Sequence, residues 1–177
     1  LGEEGMRYDA DGEIVVTAGA AEALAAVFLG LLKQGDEVIL LTPTYYTCYK
    51  NVVELAGGKA VEVQLEERDD GWKLDFAKLR EAITPQTKAL IICNPNNPTG
   101  SIFSEEELVR MGELAKEHNF FLVFDDVYQH LAYGKEVFNL ATKSEYRSQI
   151  IRIESLSKQF ALTGWRIGFV CGPKEII

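Results

Sequence analysis

Residues 88–100 read KALIICNPNNPTG, and together with SEEE at 104–107 they decide how the chain is laid out. KALIIC is a short, continuous apolar run, which predicts a strand buried on both faces in the middle of a parallel sheet. NPNNPTG predicts a loop, because its two X–Pro bonds favour extended and turn geometry. Ser104 with Glu107 three residues later is a capping box, opening a helix that runs to about Asn119. FFLVF at 120–124 is a second buried strand. The sequence from 88 to 124 is therefore one βαβ unit, whose crossover is right-handed.

The same alternation extends outward. Upstream, 14–16 reads as a strand, Thr17-Ala18-Gly19 as a turn, and AAEALAAVFLGLL (20–32) as a helix ending near Gln34-Gly35. EVILL (37–41) is a buried strand broken by Pro43, 45–56 a helix stopped by Gly57-Gly58, and AVEVQL (60–65) a half-buried or edge strand. A short helix covers 75–82 with Asp75 as its N-cap. Downstream, QIIRI (149–153) and RIGFVC (166–171) are strands, and the segment between them is short enough to predict that one of the two runs antiparallel. The fold class is α/β: three layers, α/β/α, around a mostly parallel sheet with one antiparallel strand.

At 177 residues with 47% hydrophobic content, the chain has material for one sizeable core and one domain. A net charge of −9 argues against nucleic acid and anionic membranes as partners, since both reward clustered Lys and Arg. No apolar run approaches the roughly 20 residues that span a bilayer. Cys48, Cys93 and Cys171 show no metal or redox spacing, sit in apolar stretches and predict a reducing, cytoplasmic compartment. Residues 1–177 read as a piece of a longer protein, opening on a loop-like stretch and ending inside an element.

In open α/β sheets, ligands bind beyond the carboxyl ends of the strands. Four clusters follow strands here: Thr17, Gly19, Ala20 and Ala21; Asn94, Asn96, Asn97 and Thr99; Asp125, Asp126 and Tyr128; and Ser155, Ser157 and Lys158, with Arg166 close behind. A small-residue turn into a helix leaves N–H groups free for a phosphate, although a plain strand-to-helix turn has the same composition. The Asn-Pro loop can aim the Asn97 amide at one point, or simply turn the chain. A carboxylate after a buried strand, such as Asp125, needs a cationic partner, and a protonated heterocyclic nitrogen is one; capping the next segment is the plainer role. A lysine in a partly desolvated pocket becomes a nucleophilic amine, whereas a solvated surface lysine does not. Phosphate, ring nitrogen, ring hydroxyl and aldehyde each find a matching group in this set. The cofactor with all four is pyridoxal 5'-phosphate, held by a lysine and tuned by an acid on its pyridine nitrogen.

Four motifs then stand in order: TAGAAEAL (17–24), NPNNPTG (94–100), DDVY (125–128) and SLSKQFALTGWRIGF (155–169). On these the chain resembles the class I/II aminotransferases among the fold-type I pyridoxal-phosphate enzymes, over essentially all of its length. The resemblance implies that Lys158 forms the Schiff base and serves as general acid/base, and that Asp125 keeps the pyridine nitrogen protonated. It implies that Asn97 and Tyr128 bond the ring hydroxyl, and that Gly19, Ala20, Ala21, Ser155, Ser157 and Arg166 hold the phosphate. Tyr45 falls where the family places an aromatic on the ring face, with Tyr46 adjacent. Asp126 replaces the family's usual Glu and is expected to point away from the ring.

The resemblance further implies a homodimer acting on an amino acid and a 2-oxo acid. It implies that this chain is an incomplete cofactor-binding large domain, lacking the N-terminal arm and the C-terminal small domain whose Arg binds the substrate carboxylate. By itself the piece is expected to bind cofactor weakly and to transfer amino groups poorly. Within the same fold, a carbon–sulfur β-lyase is the alternative, though its members often carry His at the position of Asn96. A sensor domain of a transcription regulator is another, without a winged helix or basic patch here. A bare nucleotide binder lacks its G-x-G-x-x-G fingerprint.

Overall fold

The computed structural model describes residues 7–42, 48–69 and 71–177. Seven strands form one sheet: β1 (Ile14–Thr17), β2 (Glu37–Thr42), β3 (Lys59–Gln64), β6 (Thr87–Cys93), β7 (Phe121–Asp125), β8 (Ile150–Ser155) and β9 (Gly168–Cys171). A separate two-stranded hairpin, β4 (Glu66–Arg68) with β5 (Gly71–Lys73), interrupts the series. The helices are α1 (Ala20–Leu31), α2 (Cys48–Leu55), α3 (Phe76–Ala82), α4 (Glu105–His118) and the single turn α5 (Leu156–Gln159). No helix among the described residues is long and apolar enough to cross a membrane.

The sheet order is β1-β9-β8-β7-β6-β2-β3, with β6 inside it and β3 at an edge, as the apolar run and the alternating run respectively predict. β3, β2, β6, β7 and β8 pair in parallel. β9 is antiparallel to both β8 and β1, so it is the one reversed strand of the seven.

Period-two alternation sends each strand's apolar residues to two cores. Val38, Leu40, Ala89, Ile91, Val123, Ile151 and Ile153 meet Leu24, Val27 and Phe28 of α1 and Val53 of α2. Ile39, Leu41, Leu90, Ile92, Leu122 and Phe124 meet Leu79 of α3 and Leu108, Met111 and Leu114 of α4. That is why the central strands carry apolar residues on both faces: both faces are covered. The result is the three-layer α/β/α architecture.

Local chemistry sets the helix ends. The Ser104 hydroxyl accepts from the Glu107 N–H while the Glu107 side chain takes the Ser104 N–H, so the capping box is formed. α4 ends with Asn119 in the left-handed region at φ 57°. Asp75 caps α3 by accepting from the N–H groups of Ala77 and Lys78. The helix expected over 45–56 is described from Cys48 onward, and residues 43–47 lie outside the described part. The hairpin is a difference from the sequence reading, because its charged, three-residue strands carry no strand periodicity.

These packing roles separate in a denaturant experiment. Leu90→Ala, at a site with no exposure on the central strand, is expected to cost about 2–5 kcal/mol. Ser104→Ala, which removes one cap, is expected to cost about 1 kcal/mol. Urea midpoints of the two variants against wild type check the ranking.

Candidate functional site

The strand directions place the chemistry. β1, β6, β7 and β8 all finish at one edge of the sheet, with Thr17, Cys93, Asp125 and Ser155 as their last residues. β9 runs the other way, so its first residue, Gly168, pairs with Thr17 on one side and Ser155 on the other. Arg166, just before β9, therefore arrives at the same edge as the ends of the parallel strands. A cleft of about 270 Å³ opens there, lined among others by Ala20, Ala21, Asn97, Asp125, Tyr128, Ser155, Ser157, Lys158 and Arg166.

The phosphate-like corner is built from backbone. Gly19 is the N-cap of α1 at φ 89°, a conformation favouring glycine, and no side chain caps the helix. A Cβ on Gly19 would stand 2.9 Å from the Arg166 guanidinium carbon, and one on Gly168 would stand 2.6 Å from the Gly19 carbonyl carbon. The missing side chains let Arg166 and the β9 backbone close against the start of α1. The Arg166 guanidinium donates to the carbonyls of Ala18 and Thr163, both at 3.2 Å. The Ser155 hydroxyl lies 3.0 Å from that of Ser157 and donates to the Ile167 carbonyl at 3.1 Å. Uncapped N–H groups, two hydroxyls and a guanidinium stand together at this corner, a donor set of the kind that receives anions.

The Asn-Pro loop divides its labour. The buried Asn94 side-chain Oδ1 accepts from the Phe103 N–H, and the Asn96 side chain accepts from the Thr99 hydroxyl, so both are spent on the loop itself. Asn97 alone lines the cleft, and its amide donates to the Tyr128 hydroxyl at 3.4 Å.

Asp125 is 4% exposed at the end of β7. Burial pushes its carboxyl up to about 6, against a downward pull from Tyr49 and the Val127 N–H. The Tyr49 hydroxyl donates to Asp125 Oδ2 at 2.6 Å, and the Val127 N–H reaches Oδ1 at 3.5 Å. No cation among the described residues contributes to that balance. The adjacent Asp126 turns out of the cleft and takes Arg152 Nε at 2.6 Å, the orientation expected of it.

Lys158 lines the same cleft as Asp125, with its Nζ 5.8 Å from the centre of the Tyr128 ring. It is exposed, not partly desolvated as the sequence reading anticipated. α5 is a single turn at the rim, and the described elements do not enclose it. Tyr45 lies outside the described residues. Tyr49 was missed by the sequence reading: it looks like one more apolar position of α2. Its signal is a phenol near the described start of α2, a helix that packs on β2 and β3, from which its hydroxyl reaches the buried carboxylate at the end of β7.

Comparison with known proteins places the fold. The family model for aminotransferase class I and II matches residues 1–177. An aspartate/prephenate aminotransferase of Thermus thermophilus is 44% identical over 93% of this chain and 42% of its own length. A probable N-succinyldiaminopimelate aminotransferase of Mycobacterium tuberculosis is 43% identical over 98% of this chain and 44% of its own. The solved N-succinyldiaminopimelate aminotransferase of M. tuberculosis superposes with a TM-score of 0.93 at 43% identity, covering 97% of this chain and 45% of that one. The chain thus spans less than half the length of the relatives it matches. With its full length matched by the family model and its sheet superposing on a solved member, the chain belongs to the class I and II aminotransferase family.

Proposed function

We propose that the protein from which these residues come is a pyridoxal-phosphate-dependent aminotransferase, moving an amino group between an L-amino acid and a 2-oxo acid. In this reading residues 1–177 are most of its cofactor-binding large domain, with the substrate-binding remainder elsewhere in the chain. The whole enzyme is a cytoplasmic homodimer. The exposed Phe160 and Trp165, on the segment that follows Lys158, support an assembled form.

One observation carries the proposal: a carboxyl group buried at the end of a central strand, bonded to neutral donors only, in the same cleft as a lysine and an anion site. A buried carboxylate without a cation is costly. A protonated ring nitrogen supplies that cation. The uncapped start of α1, with Arg166, Ser155 and Ser157, fits a phosphate, and the paired Asn97 and Tyr128 fit a ring hydroxyl.

When bound, pyridoxal phosphate supplies an electron sink for the carbanion left when a substrate α-proton departs. The protein's residues do the rest. Asp125 holds a proton at the ring nitrogen, and Tyr49 holds Asp125 in its ionised form by donating to Oδ2. Asn97 and Tyr128 orient the ring through its hydroxyl. The α1 amides and Arg166 fix the phosphate, which sets the ring's distance from Lys158. The Lys158 amine would hold the cofactor's aldehyde carbon and would serve to move a proton between substrate atoms. Its exposure keeps it reachable from solvent, so the bound ring and the rest of the polypeptide provide its cover.

Two experiments test this reading on the full-length protein. Lys158→Ala is expected to abolish the visible band of bound pyridoxal phosphate and to reduce amino transfer by about 10³-fold or more. An unchanged band reassigns the attachment site. The second test is a titration of the cofactor-free protein. An Asp side chain ordinarily titrates near about 4, and Asp125 is pushed up to about 6 by burial. Between those values the folded chain keeps a proton that the unfolded chain has lost. Stability from this group is therefore full below about pH 4 and is lost as pH rises through about 6, by up to about 3 kcal/mol. Urea midpoints at several pH values, taken as wild type minus Asp125→Asn, are expected to show that fall; a flat difference places Asp125 in a solvated site.

A further inference from the structure

A second polar cluster lies on the opposite face of the sheet from the Asp125 carboxylate, outside the cleft. Its centre is Arg152 in β8, with no exposure at all. Arg152 Nε donates to Asp126 Oδ2 at 2.6 Å, and Nη2 donates to Gln129 Oε1 at 2.8 Å. Nη2 also lies 3.1 Å from Glu154 Oε1. The two acceptors in the β7–β8 connection are not arbitrary positions. Asp126 follows Asp125, and Gln129 follows Tyr128, so a single guanidinium grips the chain beside each of two cleft-lining side chains. The Asp126 N–H also donates to the Ile153 carbonyl of β8 at 2.9 Å. Tyr128 itself sits in the sparsely populated bridge region, at φ −105° and ψ 0°.

Stability alone does not explain an arginine here. Burying a guanidinium costs several kcal/mol in lost hydration, and an apolar side chain of similar volume is often as stabilising. The neighbouring positions Ile150, Ile151 and Ile153 of the same strand are apolar and buried. What an apolar residue does not supply is fixed geometry: a planar fork holding two acceptors at once. We infer that Arg152 is a positioning residue, which through Asp126 and Gln129 locks the segment carrying Asp125 and Tyr128 and so sets where the Tyr128 hydroxyl meets the ring. This inference rests on the pyridoxal-phosphate reading of the cleft; the locking of the segment does not.

Replacing Arg152 with an apolar residue strands Asp126 in the interior and risks misfolding. The informative variants are therefore Gln129→Met, which deletes one acceptor at similar volume, and Gln129→Glu, which keeps an acceptor facing the guanidinium. In the full-length protein without cofactor, Gln129→Met is expected to speed amide hydrogen exchange across residues 127–131 by roughly tenfold, with the β6 and β7 amides unchanged. With cofactor added, it is expected to weaken affinity by about five- to tenfold and to raise the pH at which the visible band changes by roughly 0.5–1 unit. Gln129→Glu is expected to return each readout most of the way to wild type. If Gln129→Met unfolds at lower urea yet keeps wild-type exchange at 127–131, wild-type affinity and wild-type band titration, Arg152 is a packing element and the inference is overturned. A wild-type protein that takes up no pyridoxal phosphate sinks the proposed function and the ring-positioning part with it, while the exchange comparison still decides whether Arg152 locks the segment.

Discussion

The reversal of β9 is the constraint on which the cleft depends. Parallel strands deliver their following loops to one edge, so β1, β6, β7 and β8 bring hydroxyls, amides, carboxylates and a lysine together without further instruction. A residue preceding a strand reaches that edge only if the strand runs backwards. β9 does so, held antiparallel between β1 and β8. It places Arg166 over the start of α1, and the bare Cα atoms of Gly19 and Gly168 permit the approach. With β9 reversed to parallel, the guanidinium and the helix start would stand at opposite ends of the sheet, and this donor set would not assemble.

The electrostatics follow from depth along the same edge. Asp125 is the last residue of its strand and still inside the sheet, which is why desolvation dominates its protonation. Tyr49 and the Val127 N–H oppose that effect without cancelling it. Its neighbour Asp126 faces the other side and receives a full positive charge from Arg152. Two adjacent aspartates thus meet opposite fates: Asp126, just past the strand end, is paired with the Arg152 cation, and Asp125, the strand's last residue, is held by a phenol and an amide.

Much of this was legible in the sequence, for physical reasons that also mark where legibility stops. KALIIC and FFLVF announced central strands because apolar residues on both faces require cover on both. The reversed strand was foreseen from the brevity of 155–165, although only pairing shows that it is β9. The loop residues Asn97, Asp125, Tyr128, Ser155 and Ser157 were readable because strand ends in such sheets face one rim. Tyr49 was not, since its partner is 76 residues away and helix periodicity marks it only as buried. Of the asparagines of NPNNPTG, Asn97 was singled out and does line the cleft, while Asn94 and Asn96 are consumed within the loop. The exposure of Lys158 was also hidden, because burial of a side chain on a single turn depends on what lies above it.

The contrast between Asp125 and Lys158 gives the cleft a polarity that makes chemical sense. The acid is buried and held by a phenol and an amide in a low local dielectric, which under the proposed function would strengthen its hold on a positive ring atom. The amine is exposed on a short turn capped by Ser155. Under the proposed function, the group that tunes electron demand benefits from dryness and the group that bonds and moves protons benefits from reach. Between them, Asn97 and Tyr128 tie the Asn-Pro loop to the β7–β8 connection, and Arg152 secures that connection from behind. Hydrogen bonds are thus dense at the sheet, around Asp125 and Arg152, while Lys158 stands exposed at the rim of the cleft.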